Sequence, residues 1–299
     1  MRKLLQRLLA PIAALAAFAS PATVQAKAPQ SARPALWALS DADTTIYLFG
    51  TIHLLPQNYQ WQSAQFNEAE QRSHSLVIET IVDPAHPQPY LDAILKLGFA
   101  RGMPPITERV PAAKRAALLK AIAKSGAPQA RFDQMKTWMA AVQLLQLQFV
   151  EMDLHGQSAP ETVLREEFTS AGKPIEQLET NAEQFGYFDA LPEKAQRQLL
   201  EGALEPTTGV KAEFDQMLAA WTRGDVKAVG RSFNRDLGGS PEMAKTLIKQ
   251  RNANWSSWIK QRLKQPGAVM VAVGAGHLAG SDSVIELLRR DGFRVRRLQ

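Results

Sequence analysis

Two short apolar runs near opposite ends of this 299-residue chain finish in the same way, and they constrain the fold more than any other feature. Thr45-Ile46-Tyr47-Leu48-Phe49 stops at Gly50 and presents His53 three residues later. Val269-Met270-Val271-Ala272-Val273 stops at Gly274 and presents His277. Apolar runs of this length, rich in β-branched residues, read as strands buried on both faces. In open α/β sheets, ligands bind outside the carboxyl ends of such strands. The two G-x-x-H ends therefore predict neighbouring strands that aim both imidazoles into one pocket.

Two further strands end in acid. Ser75 to Ile78 runs into Glu79, and Lys173 to Leu178 runs into Glu179. Carboxylates are rarely buried unless paired or ligated, so both join the candidate catalytic set of His53, Glu79, Glu179 and His277. Two imidazoles and two carboxylates match the ligand chemistry of Zn, Mn or Co. A metal held with an open position activates water, and a carboxylate left off the metal serves as general base. Arg251, on a long helix, can pair with a site carboxylate or a substrate anion; with Asn252 it forms the substrate-binding expectation. His74, His86 and His155 have no comparable support in the sequence.

Several chemistries are excluded. The chain has no cysteine, which removes disulfides, thiolate metal sites and a Cys nucleophile. It has no G-x-S-x-G elbow, P-loop or H-E-x-x-H. Gly274, Gly276 and Gly280 follow a G-x-G-x-x-x-G spacing, which is not the dinucleotide fingerprint. The net charge of +6 draws on arginines that alternate with apolar residues near the C-terminus, a solvated face rather than a nucleic-acid arm.

In chain order, Arg2, Lys3 and Arg7, the apolar run Leu8 to Phe18, and Val24-Gln25-Ala26 have the three parts of an export signal. Cleavage is expected after Ala26, with release to the periplasm or exterior and no stable membrane anchor. Lys27 to Pro34 reads as a lead-in. A single domain is expected over 35–299, opening with a hairpin, Ala35–Leu39 and Thr44–Phe49, around a Ser40–Asp43 turn. Helices are expected at Ser63–Arg72, through an insertion of about 90–170 that includes Asp133–Glu151, across Ala182–Arg235, from Pro241 to about Lys264, and at Ser281–Arg290. The fold class is α/β, with a mixed central sheet flanked by helices and a large helical middle.

The motifs also resemble a known family. Leu36-Trp37, Tyr47 to His53, Val77 to Glu79, Gly172 to Thr180, Trp221 to Asp225, Arg251-Asn252 and Val271 to Gly280 together are similar to the TraB/GumN family. That family is related to the Tiki metalloproteases and more remotely to erythromycin esterases and haem-binding ChaN-like proteins. The resemblance implies an EreA/ChaN-like fold and an exported metal-dependent hydrolase acting on a peptide or small molecule. It implies His53, Glu79 and His277 as ligands to Mn, Co or Zn, with Glu179 as ligand or base. The alternatives are an inactive binding protein for haem or a peptide, and an esterase. At Glu151-Met152-Asp153 the family pattern, with Gly two residues before the Asp, is not followed.

Overall fold

The computed structural model describes residues 30–152, 154, 156–237 and 240–299. The expected export signal, and Asp153 and His155, lie outside the described residues. No helix among the described residues is long and apolar enough to cross a membrane.

The chain builds a six-stranded mixed sheet from β1 (Leu36–Ser40), β2 (Thr44–Thr51), β3 (Ser75–Ile78), β4 (Ile175–Gln177), β5 (Gly267–Gly274) and β6 (Val295–Arg297). The spatial order is β4-β3-β5-β2-β1-β6. β1 and β2 form the expected antiparallel hairpin. Its turn is closed by the Asp41 carboxylate, which accepts from the Thr44 amide at 2.9 Å. The four strands β4, β3, β5 and β2 run parallel, with Thr51 beside Gly274 and Ile78 beside both Ala272 and Gln177. All four carboxyl ends therefore open on one edge of the sheet.

Alternation along the strands explains why both faces are apolar. Ile46, Leu48, Val269, Val271 and Val273 point to a face covered by Trp255, Ile259 and Leu288. Tyr47, Phe49, Met270 and Ala272 point to the opposite face, covered by the helical middle of the chain. The short parallel strands β3 and β4 lie together on one side of β5, with β4 at the edge, and long crossovers carry the helices between them.

The helical expectations need three corrections. The helix expected over Asp133–Glu151 is two helices, Gln129–Gln134 and Thr137–Glu151. Met135 between them is extended because it bridges to Phe99 and gives its carbonyl to Arg109. The helix expected from Pro241 to Lys264 starts as a single turn, widens to a π-helix over Ala244–Gln250, and becomes α-helical at Arg251–Arg262. The helix expected from Ser281 starts at Val284, capped by Ser283. A short parallel pair, Gln30–Ser31 with Tyr59–Gln60, occupies part of the expected lead-in.

Candidate active site

Parallel pairing brings Glu179, Glu79, His277 and His53 to one sheet edge, after β4, β3, β5 and β2 respectively. Arg251 joins them from the start of the helix that covers the sheet. It is 1% exposed, and its guanidinium is the hub of the cluster. Nε donates to both oxygens of Glu179 at 2.9 and 3.1 Å, and Nη2 to Glu179 and Glu79 at 2.8 Å each. Nη1 stands 3.2 Å from His277 Nε2. The Trp255 indole N–H, one turn along the same helix, donates to Glu179 at 2.9 Å.

The network assigns the His277 tautomer. Asn252 Nδ2 donates to the Asp282 carbonyl, so Asn252 Oδ1 is the acceptor facing His277 Nδ1 at 2.6 Å. Nδ1 therefore carries the proton, and the Nε2 lone pair accepts from Arg251. Burial first, and the Arg251 charge second, drive the His277 pKa down to about 3, so this imidazole is neutral. Burial alone would raise the Glu79 pKa, but Arg251, then His277 and His53, hold it down to about 2. Glu179 shifts upward: burial outweighs Arg251, and Glu79 adds to the effect. Arg251 shifts upward because its two carboxylates outweigh its own burial.

His53 is held differently. Its Nδ1 lies 2.6 Å from Glu161 Oε1, and its Nε2 is 4.0 Å from Glu79 Oε1. Thr51 donates to the same Glu161 oxygen. Burial would lower the His53 pKa, but the Glu161 charge and hydrogen bond, reinforced by Glu79, raise it above 6.5. The electrostatics agree: two buried carboxylates already share the Arg251 guanidinium, and a proton on His53 offsets the further negative charge of Glu161 beside it. Glu161 lies in the first turn of the helix Pro160–Ser170, behind a proline. That position is explained locally by the helix dipole, which is why sequence reasoning passed over it. Only the fold shows that the side chain turns inward to an imidazole more than a hundred residues away in sequence.

His53 stands between two small cavities. One, of about 70 Å³, is lined by Ile78, Glu79, Thr80, Glu161, Thr162 and Arg165 among others. The other, of about 30 Å³, is lined by Leu54, Phe214, Met217, Val229, Phe233 and His277 among others. Arg251 and Asn252 line neither of these two cavities.

The glycines of the motif serve close approach. A Cβ on Gly274 would lie 3.2 Å from Glu79 Oε1 and 3.4 Å from His53 Nε2. Its absence lets the Gly274 amide donate to Glu79 at 2.8 Å. A Cβ on Gly276 would sit 2.3 Å from the Phe233 ring.

The expected metal ligands do not fit an ion as they stand. Both Glu79 oxygens, both His277 nitrogens and both Glu179 oxygens are engaged within the chain, and a guanidinium occupies the point where they meet. Among the described residues, no group of three His, Asp or Glu is disposed to hold a metal.

The fold and site define an α/β protein with a paired-histidine edge organised by a buried arginine. Residues 35–297 match the model of the TraB/PrgY/gumN family, and the chain belongs to that family. No curated protein and no solved structure matches it.

Proposed function

We propose that the protein is a hydrolase of peptide bonds in which His53 is the general base. The observation that carries this reading is the His53–Glu161 pair: Nδ1 is fixed at 2.6 Å by a carboxylate while Nε2 is left without a direct hydrogen bond, beside the larger of the two cavities. A base oriented by a third group in this way is the arrangement that nucleophile activation requires. Neutral His53 would take a proton from water at Nε2 as the hydroxide adds to the scissile carbonyl. Glu161 and Glu79 would stabilise the imidazolium, which returns the proton to the departing amine. Arg251, wholly enclosed, keeps Glu79 ionised and the strand ends together; it acts as a positioning residue.

The test is hydrolysis of a panel of N-acetylated dipeptides by the purified protein, together with its metal content. His53→Ala is expected to lower kcat/KM by about 10²–10⁴. For the native protein, kcat/KM should climb as pH rises through the elevated His53 pKa, because only the neutral imidazole accepts a proton. Glu161→Gln should move that midpoint downward. Turnover that survives His53→Ala would end the reading. Stoichiometric Mn, Co or Zn lost in a His53→Ala/His277→Ala variant would replace it with the metal mechanism.

We also infer export, supported by the charged, apolar and small-residue segments of 1–26. A mature protein beginning at Lys27 is the expected result of N-terminal sequencing; an N-terminus at Met1 would refute it.

A further inference from the structure

The helix Pro160–Ser170 carries a second charged residue on the same face as Glu161. Arg165 is one turn further on, at the i+4 spacing where glutamate and arginine normally pair. They do not pair here. Glu161 gives Oε1 to His53 and Thr51, and its Oε2 is buried with no hydrogen-bond partner. Arg165 is half-buried in the wall of the larger cavity and has no hydrogen bond or ion pair among the described residues. Arg165, with no side-chain partner among the described residues, thus shares with Glu161 the wall of the cavity beside His53.

A guanidinium without a partner in a half-buried wall suits a carboxylate, which it can grip with two parallel hydrogen bonds. The last residue of a peptide carries such a carboxylate one carbon from its amide nitrogen. On the other side of His53, the cavity walled by Phe214, Met217, Val229 and Phe233 suits a small aliphatic group at about 30 Å³. A phosphate fits less well, because it brings close to two negative charges to the cavity that Glu79 and Glu161 also line.

We propose that Arg165 receives the C-terminal carboxylate of a peptide whose penultimate residue bears a small aliphatic side chain. The scissile bond then lies over His53, the terminal residue departs on the Arg165 side, and the aliphatic side chain enters the smaller cavity. Water supplies hydroxide to the acyl carbon and a proton to the released amino group, so one free amino acid is produced per cycle. This assignment deepens the hydrolytic reading above and names its substrate class.

The test uses N-acetyl-valyl-alanine as the free acid and as the C-terminal amide, with affinities read by calorimetry on the purified protein. The native protein should bind the acid about tenfold or more tightly than the amide, the worth of one hydrogen bond to a charged group. Arg165→Gln should bring the ratio close to one, and Arg165→Lys, which keeps the charge and loses the fork, should fall between. An unchanged ratio in Arg165→Gln would overturn the assignment. Equal loss for acid and amide would also overturn it, by making Arg165 a general support of the bound peptide. Inorganic phosphate binding as tightly as the acid, in an Arg165-dependent way, would overturn the carboxylate. Binding needs no turnover, so the two proposals fail separately. A native ratio without cleavage removes the hydrolase and keeps the subsite; cleavage without a ratio does the reverse.

Discussion

Among the described residues two arginines are almost fully enclosed, and they are enclosed by opposite means. Arg109, 0% exposed in the helical middle, is caged by main-chain carbonyls: Nε and Nη2 donate to Pro104, Nη1 to Met135, and Nη2 to Asp133. Arg251 at the sheet edge is caged by titratable side chains, Glu79, Glu179 and His277. Neutral carbonyls satisfy the donors without repaying the desolvation of the charge, and burial pulls the Arg109 pKa down. Carboxylates repay it, and the Arg251 pKa moves up. Burial of a charge does not by itself mark a site. The first arginine staples a loop to a helix junction, whereas the second ties together strand ends that are far apart in sequence.

The sharpest way to break this contrast is to remove each charge and follow stability against pH. Arg251→Met leaves two buried carboxylates unpaired and should cost about 3–5 kcal/mol in urea unfolding near pH 7. Its loss should deepen as pH rises. Without the guanidinium, Glu79 and Glu179 have folded pKa values above the unfolded one, so protonation stabilises the fold at low pH and that contribution disappears at high pH. Arg109→Met orphans carbonyls that do not titrate, at about 1–3 kcal/mol per buried unsatisfied group, and its loss should stay level from pH 5 to 8. The native protein should behave in the opposite sense to Arg251→Met. The stabilisation from Glu79 is complete above 4.5 and is lost as pH falls towards about 2, while the unfolded chain protonates His277 from 6.5 downward and the native chain only near 3. The upward shifts of Glu179 and of His53, whose stabilisation is present below 6.5 and lost as pH rises through its folded pKa, offset part of this. Identical pH profiles for the two methionine variants would erase the distinction between staple and site.

A smaller effect compares glycines. Gly276→Ala drives a methyl into Phe233 and should cost about 1–3 kcal/mol by overpacking. Gly209, exposed on the helix Thr207–Thr222 with open space around it, should accept alanine with a gain of up to about 1 kcal/mol. A neutral Gly276→Ala in thermal unfolding would show that the G-x-x-H loop yields where the packing says it cannot.

Much of the architecture was legible because its signals are local. The continuous apolar runs of β2 and β5, the acids closing β3 and β4, and the Pro and Gly breaks between helices state their own secondary structure. The break at Met135 was not legible, because its cause is a carbonyl claimed by Arg109 from another segment. The π-helical turns before Arg251 were equally silent, since no composition marks i→i+5 bonding. At the site, Arg251 was visible only as one candidate partner among several, and its central place between the glutamates came from the fold.

From its residues alone this chain declares a mixed α/β fold with two imidazoles and two carboxylates at strand ends, because strand periodicity and strand termination are short-range properties. Tertiary packing alone decided that Arg251 fills the centre of that set, that Glu161 orients His53, and that Arg165 has no partner among the described residues. Those outcomes depend on which side chains meet across a hundred residues or more, and on a buried charge being tolerable only where opposite charge is already waiting.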